Sequence, residues 1–304
     1  MKRIVVGTLL LTVMGTSVAR ADWIDPPDRP WKIQAKFSFP WAYFYMRNAS
    51  EGVTYKMTPL LVPSVTFGWK FLRIGVSKKL SINDPSTDLS SFRLGLNKKY
   101  FVVDFAIQKI KGLRTSLTDG NSHRTDIGYL RTGFNAYGGI SFTGDVPYSV
   151  QSYYGSVEIP KDIEVDATAF ANLNWNSLSA DSPIVPAEKA AGFGEVAQLK
   201  GFRSLGLNTG LGVGLTFPLG GKWMASTMAL AGLSFLTGSH VYTTDNDYTS
   251  DIGSQLGLRA SVLYRRKNQT WSFEGYFDRL NQEFKDTDFR QDFIGTSVAY
   301  SYRF

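Results

Sequence analysis

The sequence predicts an all-β fold, a transmembrane up-and-down antiparallel β-barrel of about twelve strands. Three features carry this prediction: a secretory leader, period-two alternation sustained over long runs, and an aromatic strand that ends the chain.

The leader comes first. Met1-Lys2-Arg3 gives a positive start, Ile4 to Val13 a short apolar core, and Ala19-Arg20-Ala21 a small-x-small cleavage site. The core is too short to span a bilayer as a helix. Residues 1–21 are therefore read as a signal peptide and 22–304 as a single barrel domain. The mature chain opens on a Pro-rich stretch, Asp25-Pro26-Pro27-Asp28-Arg29-Pro30, that cannot pair as a strand interior.

Strands are expected near 31–40, 60–69, 71–80, 89–97, 100–111, 125–139, 148–158, 201–218, 222–236, 250–266, 269–279 and 289–304. The run 202–217 is the clearest. Leu205, Leu207, Leu211, Val213, Leu215 and Phe217 share one face, and Ser204, Gly206, Asn208, Gly210, Gly212 and Gly214 the other. A helix would scatter those glycines round its axis at a cost of about 1 kcal/mol each. The run also exceeds the roughly five or six residues usual in soluble sheets. Trp31, Ile33, Ala35, Phe37 and Phe39 alternate with Lys32, Gln34, Lys36 and Ser38. Phe101, Val103, Phe105 and Ile107 alternate with Val102, Asp104, Ala106 and Gln108. One apolar face and one small or polar face is what a wall between lipid and a wet lumen requires.

The terminal strand is the most specific signal. Tyr300, Tyr302 and Phe304 share a face with Val298 and Ile294, and a closing aromatic of this kind resembles the signal by which the barrel-assembly machinery recognises its clients. An even strand count puts both termini at the periplasmic end, with short turns at 97–99, 144–147, 218–221 and 267–268 and longer loops at 41–58, 81–88, 112–124, 159–200, 237–249 and 280–288. The longest, 159–200, is expected to carry a short helix near 187–191 and to plug the lumen or project outward.

Composition narrows the partners. The formal charge of +7 falls to +4 once Lys2, Arg3 and Arg20 leave with the leader. That excess suits outer-membrane lipid and lipopolysaccharide, and is too small and dispersed for nucleic acid. With no cysteine, a disulfide scaffold and a thiolate metal site are both excluded. No cofactor or metal signature is present, and a monomer is expected.

Three stretches resemble an outer-membrane barrel family of unknown function from Gram-negative bacteria: Ser64-Val65-Thr66-Phe67-Gly68-Trp69-Lys70 through Ser77; Leu96 to Gly112 around Tyr100-Phe101-Val102-Val103-Asp104; and Gly133-Phe134-Asn135 through Ser141-Phe142 to the run from Gln151 to Ser156. The resemblance implies the barrel fold in the cell outer membrane and supplies no site.

Two functions are open from the residues. A narrow pore, or a structural or surface-binding barrel, rests on lumen-facing charges, which parity places at Lys32, Lys36, Lys70, Arg73, Arg93, Asp104, Arg259, Glu274 and Asp278. The alternative is a barrel hydrolase acting on lipid or peptide through an external-loop histidine. Its candidates are His123, near Ser122, Asp119 and Asp126, and His240, near Ser239, Asp245, Asp247 and Asp251. Polar loops with an occasional histidine are ordinary surface composition, and the non-enzymatic reading is preferred.

Overall fold

The computed structural model describes residues 30–49, 51–80, 87–98, 100–117, 120–143, 147, 150, 159–242, 245–284 and 286–304. The leader and, apart from Val150, the strand expected at 148–158 lie outside the described residues. Thirteen strands are described: β1 (Trp31–Arg47), β2 (Gly52–Lys56), β3 (Val62–Trp69), β4 (Leu72–Lys78), β5 (Asp88–Asn97), β6 (Phe101–Leu117), β7 (Gly120–Ser141), β8 (Glu164–Ser179), β9 (Gly201–Pro218), β10 (Trp223–Val241), β11 (Asn246–Arg266), β12 (Gln269–Phe284) and β13 (Thr287–Arg303). All neighbours are antiparallel, and β13 pairs back onto β1 from Lys32–Arg303 to Arg47–Asp288, closing the barrel. Trp31 and Phe304 exchange backbone hydrogen bonds at the foot of that seam.

The barrel is stepped. At the end carrying the termini, β1 pairs with β3 over Trp31–Ser38, and β3, β4 and β5 lead round to β6, giving twelve strands. At the far end β1 pairs over Tyr43–Arg47 with β2, which pairs directly with β6, giving ten. Pro40 sits between the two partnerships. Even-numbered residues of β1 bond toward this side, as the Met57 N–H to the Ala42 carbonyl shows. Its missing N–H therefore falls where the ladder is interrupted, and no bond is forfeited. On β6, a bulge at Gly112 (φ 79°) shifts the register between Lys111 and Leu113 and turns Leu113 and Thr115 inward.

Several expectations are corrected. The strand between β7 and β9 is β8, Glu164–Ser179, inside what reads as the long loop 159–200. Its lumen face is polar but for Phe170 and Leu178, with Asn172, Asn174 and Asn176 in succession, and its outer face includes Ala167, Ala169 and Ala171, so the alternation is faint. The loops expected at 112–124, 237–249 and 280–288 are strand for most of their length, which shortens the far-end connections and removes the short-long alternation. The connection at 144–147 is not a short turn, because β7 ends at Ser141 and β8 begins at Glu164. The remaining loop, 180–200, carries the expected short helix, α1 (Ala190–Phe193), between two 3-10 turns.

The outer wall is apolar. Trp31, Phe37, Phe67, Ile74, Leu211, Val213, Leu256 and Phe273 are exposed on it. From Leu205 to Phe217 this face runs roughly 30 Å, at about 3.4 Å per residue and a tilt near 40°. Its terminal end is ringed by Trp31 against Trp69 (6.2 Å), Trp223 against Tyr264 (4.8 Å) and Trp271 against Tyr300 (4.7 Å). Such rings sit where an apolar slab meets water.

Candidate functional site

The lumen is closed at its far end and hollow at the end carrying the termini. Phe44 on β1 meets Tyr129 on β7 at 4.9 Å, and both meet Phe293 on β13 at 5.9 and 5.8 Å. At this end β7 is the third strand from β1, by way of β2 and β6, so these rings reach into the lumen from separate parts of the wall. The Tyr129 hydroxyl lies within hydrogen-bond reach of Asn176 Oδ1 (3.0 Å) and Gln291 Oε1 (3.2 Å). Above the rings, the 180–200 segment folds in as a lid, burying Ile184, Val185, Phe193, Val196 and Leu199 against Met46, Tyr55, Phe202 and Phe289.

Hydrogen bonds tie the lid down. Tyr55 Oη donates to the Ile184 carbonyl, Asn48 Nδ2 to that of Gly192, and Lys189 Nζ to that of Gly52 at 2.6 Å. Arg124 donates to Ser182 Oγ (2.7 Å) and the Pro183 carbonyl (3.1 Å) while holding both oxygens of Asp126 at 2.7 Å.

These residues precede Leu130 on β7 and stand beyond the apolar belt. The Arg124 hydrogen bonds pull the Asp126 pKa down to about 2, against partial burial. A folded value below the unfolded one contributes stability that is complete above about pH 4 and lost as pH falls through about 2. Pepsin cleavage within 184–199 is therefore expected to rise across that window. In Asp126→Asn the rise should flatten, and Arg124→Ala should loosen the lid at neutral pH.

The inward glycines of β9 and β10 face a filled interior. A Cβ on Gly210 or Gly232 would lie 2.7 or 2.8 Å from the Phe170 ring, which fills the interior there with Val102, Tyr137, Val150, Met228 and Leu230. Between this cluster and the rings lies a polar layer that includes Asn174, Asn208, Gln255 and Arg131.

Below the closure, between β1, β3, β4, β5 and β6 on one side and β12 on the other, lies a cavity of about 190 Å³. Its mouth residues Pro30, Lys70, Phe71 and Arg303 are at the terminal end. Among the described residues, Lys32, Lys36, Lys70, Arg73, Arg93 and Arg303 line it, six cations against the two carboxylates of Asp104 and Glu274. Lys36 Nζ donates to Glu274 Oε2 at 2.5 Å, and Ser272 and Ser297 add hydroxyl donors at 3.0 and 3.4 Å. Arg73 donates to Asp104 at 3.1 Å.

The cavity thus gathers Lys32, Lys36, Lys70, Arg73, Arg93, Asp104 and Glu274 from the nine charges placed in the lumen by parity. Lys70 arrives from the β3–β4 turn, with φ 52° and its ammonium over the Trp69 ring, instead of from a strand. Arg259 and Asp278 stand apart as a bidentate pair at 2.7 and 2.9 Å. Parity missed Arg303, whose inward position follows from the same alternation that points Tyr302 outward.

The histidines are not in loops. His123 is a β7 position paired with Arg114, and its side chain lies outside the described residues. His240, on β10, is buried and stacked flat on Phe284 at 3.6 Å, with Thr249 Oγ1 3.4 Å from Nδ1. Ser239 belongs to the opposite face of the same strand, so the adjacent serine does not meet this ring. Among the described residues no cluster of three or more His, Cys, Asp or Glu could hold a metal ion.

Among solved structures, the chain is similar to the outer membrane protease OmpT from Escherichia coli, with 9% identity, 93% of this chain and 98% of that chain covered, and a TM-score of 0.46. It is also similar to the translocator domain of the autotransporter NalP from Neisseria meningitidis, with 12% identity, coverage of 100% and 96%, and a TM-score of 0.46. The Ralstonia pickettii toluene transporter TbuX follows at 9% identity, coverage of 91% and 90%, and a TM-score of 0.33. None of these likenesses brings over a residue role. No curated protein matches the sequence. The family itself is shown by a match spanning residues 24–304: the chain belongs to the family described as Domain of unknown function (DUF4421).

Proposed function

We propose that this chain is a monomeric barrel resident in the outer membrane, with a closed lumen that takes an anionic ligand into the basic vestibule from the periplasmic side. The apolar outer wall with its aromatic ring supports the membrane reading. The expected leader supports export, and Tyr300, Tyr302 and Phe304 at the seam strand support delivery by the assembly machinery. The single observation that carries the ligand reading is the six-to-two excess of cations, among the described residues, round the cavity below the ring closure. In a confined site of low dielectric such an excess raises the local concentration of anions.

The test is calorimetric titration of the refolded mature chain in detergent with inorganic phosphate, pyrophosphate and citrate. Saturable binding is expected, weakened about tenfold by Arg93→Gln, one charge-assisted contact being worth roughly 1.5 kcal/mol. Absence of saturable binding for all three anions would remove the ligand reading and leave a closed structural barrel.

A further inference from the structure

The vestibule changes character along its depth. On β1, β3, β4, β5 and β6 its inward side chains are successive ladder partners, so they fall into rows that can be ordered from the mouth. The first row is Lys32, Gly68, Arg73, Gly95 and Asp104. The second runs from Gln34 through Thr66 and Gly75 to Arg93. The third is Lys36, Ser64, Ser77, Ser91 and Gln108, and all five of its members line the cavity.

This third row is neutral. Its one cation, Lys36, is held by Glu274 at 2.5 Å. The rest are three hydroxyls and an amide on four neighbouring strands. Ser77 and Ser91 share a hydrogen bond at 2.6 Å, and Ser64 Oγ donates to the Lys36 carbonyl at 3.4 Å. A hydroxyl is one donor and two acceptors, and a glutamine amide adds two donors and a carbonyl oxygen. Those two bonds therefore leave most of the capacity of the row facing the cavity.

Two glycines keep the way to the row clear. Arg73 lies along the wall across Gly95, where a Cβ would stand 2.2 Å from its Nε, and ends on Asp104. Thr66 lies across Gly75 in the same way, its Oγ1 2.7 Å from such a Cβ. Side chains laid flat on glycine do not project into the cavity. Size then limits the ligand. A cavity of roughly 150 Å³ takes one benzene-sized ring. At about 190 Å³ the vestibule has room for one six-membered ring with a charged substituent, and not for two rings. An inorganic anion held near the mouth would leave the third row to water. A ring carrying hydroxyls would reach it.

We propose that the ligand of the vestibule is an anionic monosaccharide, with its charged group among the cations of the two rows nearer the mouth and its hydroxyls on Ser64, Ser77, Ser91 and Gln108. The charge of this ligand rests on the anion reading above. The sugar rests on the third row.

The experiment titrates the refolded mature chain in detergent with glucose 6-phosphate, inorganic phosphate and glucose, read by calorimetry. Glucose 6-phosphate is expected to bind at least about tenfold more tightly than phosphate, the factor that two neutral hydrogen bonds supply. Glucose alone should not saturate. Ser64→Ala/Ser91→Ala removes two hydroxyls with little change in volume and should erase that advantage. Gln108→Leu is the second variant and should reduce it about threefold, with the folding of each variant scored by circular dichroism and protease resistance. Saturable phosphate binding with no gain for glucose 6-phosphate would overturn the sugar and leave the anion reading standing. An advantage that survives in both folded variants would overturn the third row as its source. Glucose binding as tightly as its phosphate would overturn the anionic class. Silence from both anions would overturn the anion reading, and this inference with it.

Discussion

Planar bilayers carrying the refolded mature chain are expected to show no voltage-stable unitary steps. Phe44, Tyr129 and Phe293 meet in the lumen from separate parts of the wall, and the lid buries Ile184, Phe193 and Leu199 on top of them. Packed interiors have few voids larger than a water molecule, so side-chain fluctuation alone does not make an ion path through this layer. Lid removal by itself leaves the rings in place. Steps are expected only when 182–199 is replaced by a short Gly-Ser linker and Tyr129→Ala and Phe293→Ala are added. Each truncation costs about 3–5 kcal/mol in a packed core, so the variant must first be shown folded. Voltage-stable steps from the intact chain, altered by Arg93→Ala, would instead restore the pore that the inward charges allow.

The barrel was legible because its wall is read twice, once from each face. β9 alternates Leu205, Leu207, Leu211 and Val213 against Ser204, Gly206, Asn208 and Gly210, with Thr209 alone interrupting the apolar set, and the structure places these sets outside and inside. β8 escaped because both halves of its signal are weak. Ala167, Ala169 and Ala171 are a poor apolar face, and Asn172, Asn174 and Asn176 look like loop until a polar interior is there to receive them. The step was hidden for a different reason. Alternation reports which face a residue joins and nothing of which strand lies beside it, so the partner change on β1 left only Pro40 as a trace.

The inward charges followed from parity, while their grouping did not. That seven of them share one cavity, and that Arg259 and Asp278 pair elsewhere, depends on barrel circumference and on Phe170 filling the opposite side. The histidines were misplaced because polar, Asp-containing sequence was taken for loop. In a barrel whose strands outrun its apolar belt, the same composition is strand standing in water.

Glu274→Ala is expected to destabilise the barrel by about 3 kcal/mol, at the low end for a broken buried ion pair. The Glu274 side chain is 6% exposed and that of Lys36 27%, so the lysine can recover some water when its partner goes. What remains is worse than a lost pair. Lys32, Lys36 and Arg303 line the same cavity, where Glu274 is one of two carboxylates among the described residues. Ser272 and Ser297 also lose the oxygens they donate to. Lys36→Met alone is expected to cost a similar amount by stranding the carboxylate. The double variant Lys36→Met/Glu274→Met should cost much less than the sum, because both desolvated charges leave together. Urea unfolding of the three variants in lipid vesicles reads the cycle directly, and strict additivity would mean that the 2.5 Å contact contributes nothing and the cavity charges are independently solvated. The same variants bear on the vestibule. If the cavity takes an anion, pyrophosphate should recover part of the stability lost in Glu274→Ala and none of that lost in Lys36→Met. A bound anion neutralises surplus cations, whereas it repels a stranded carboxylate.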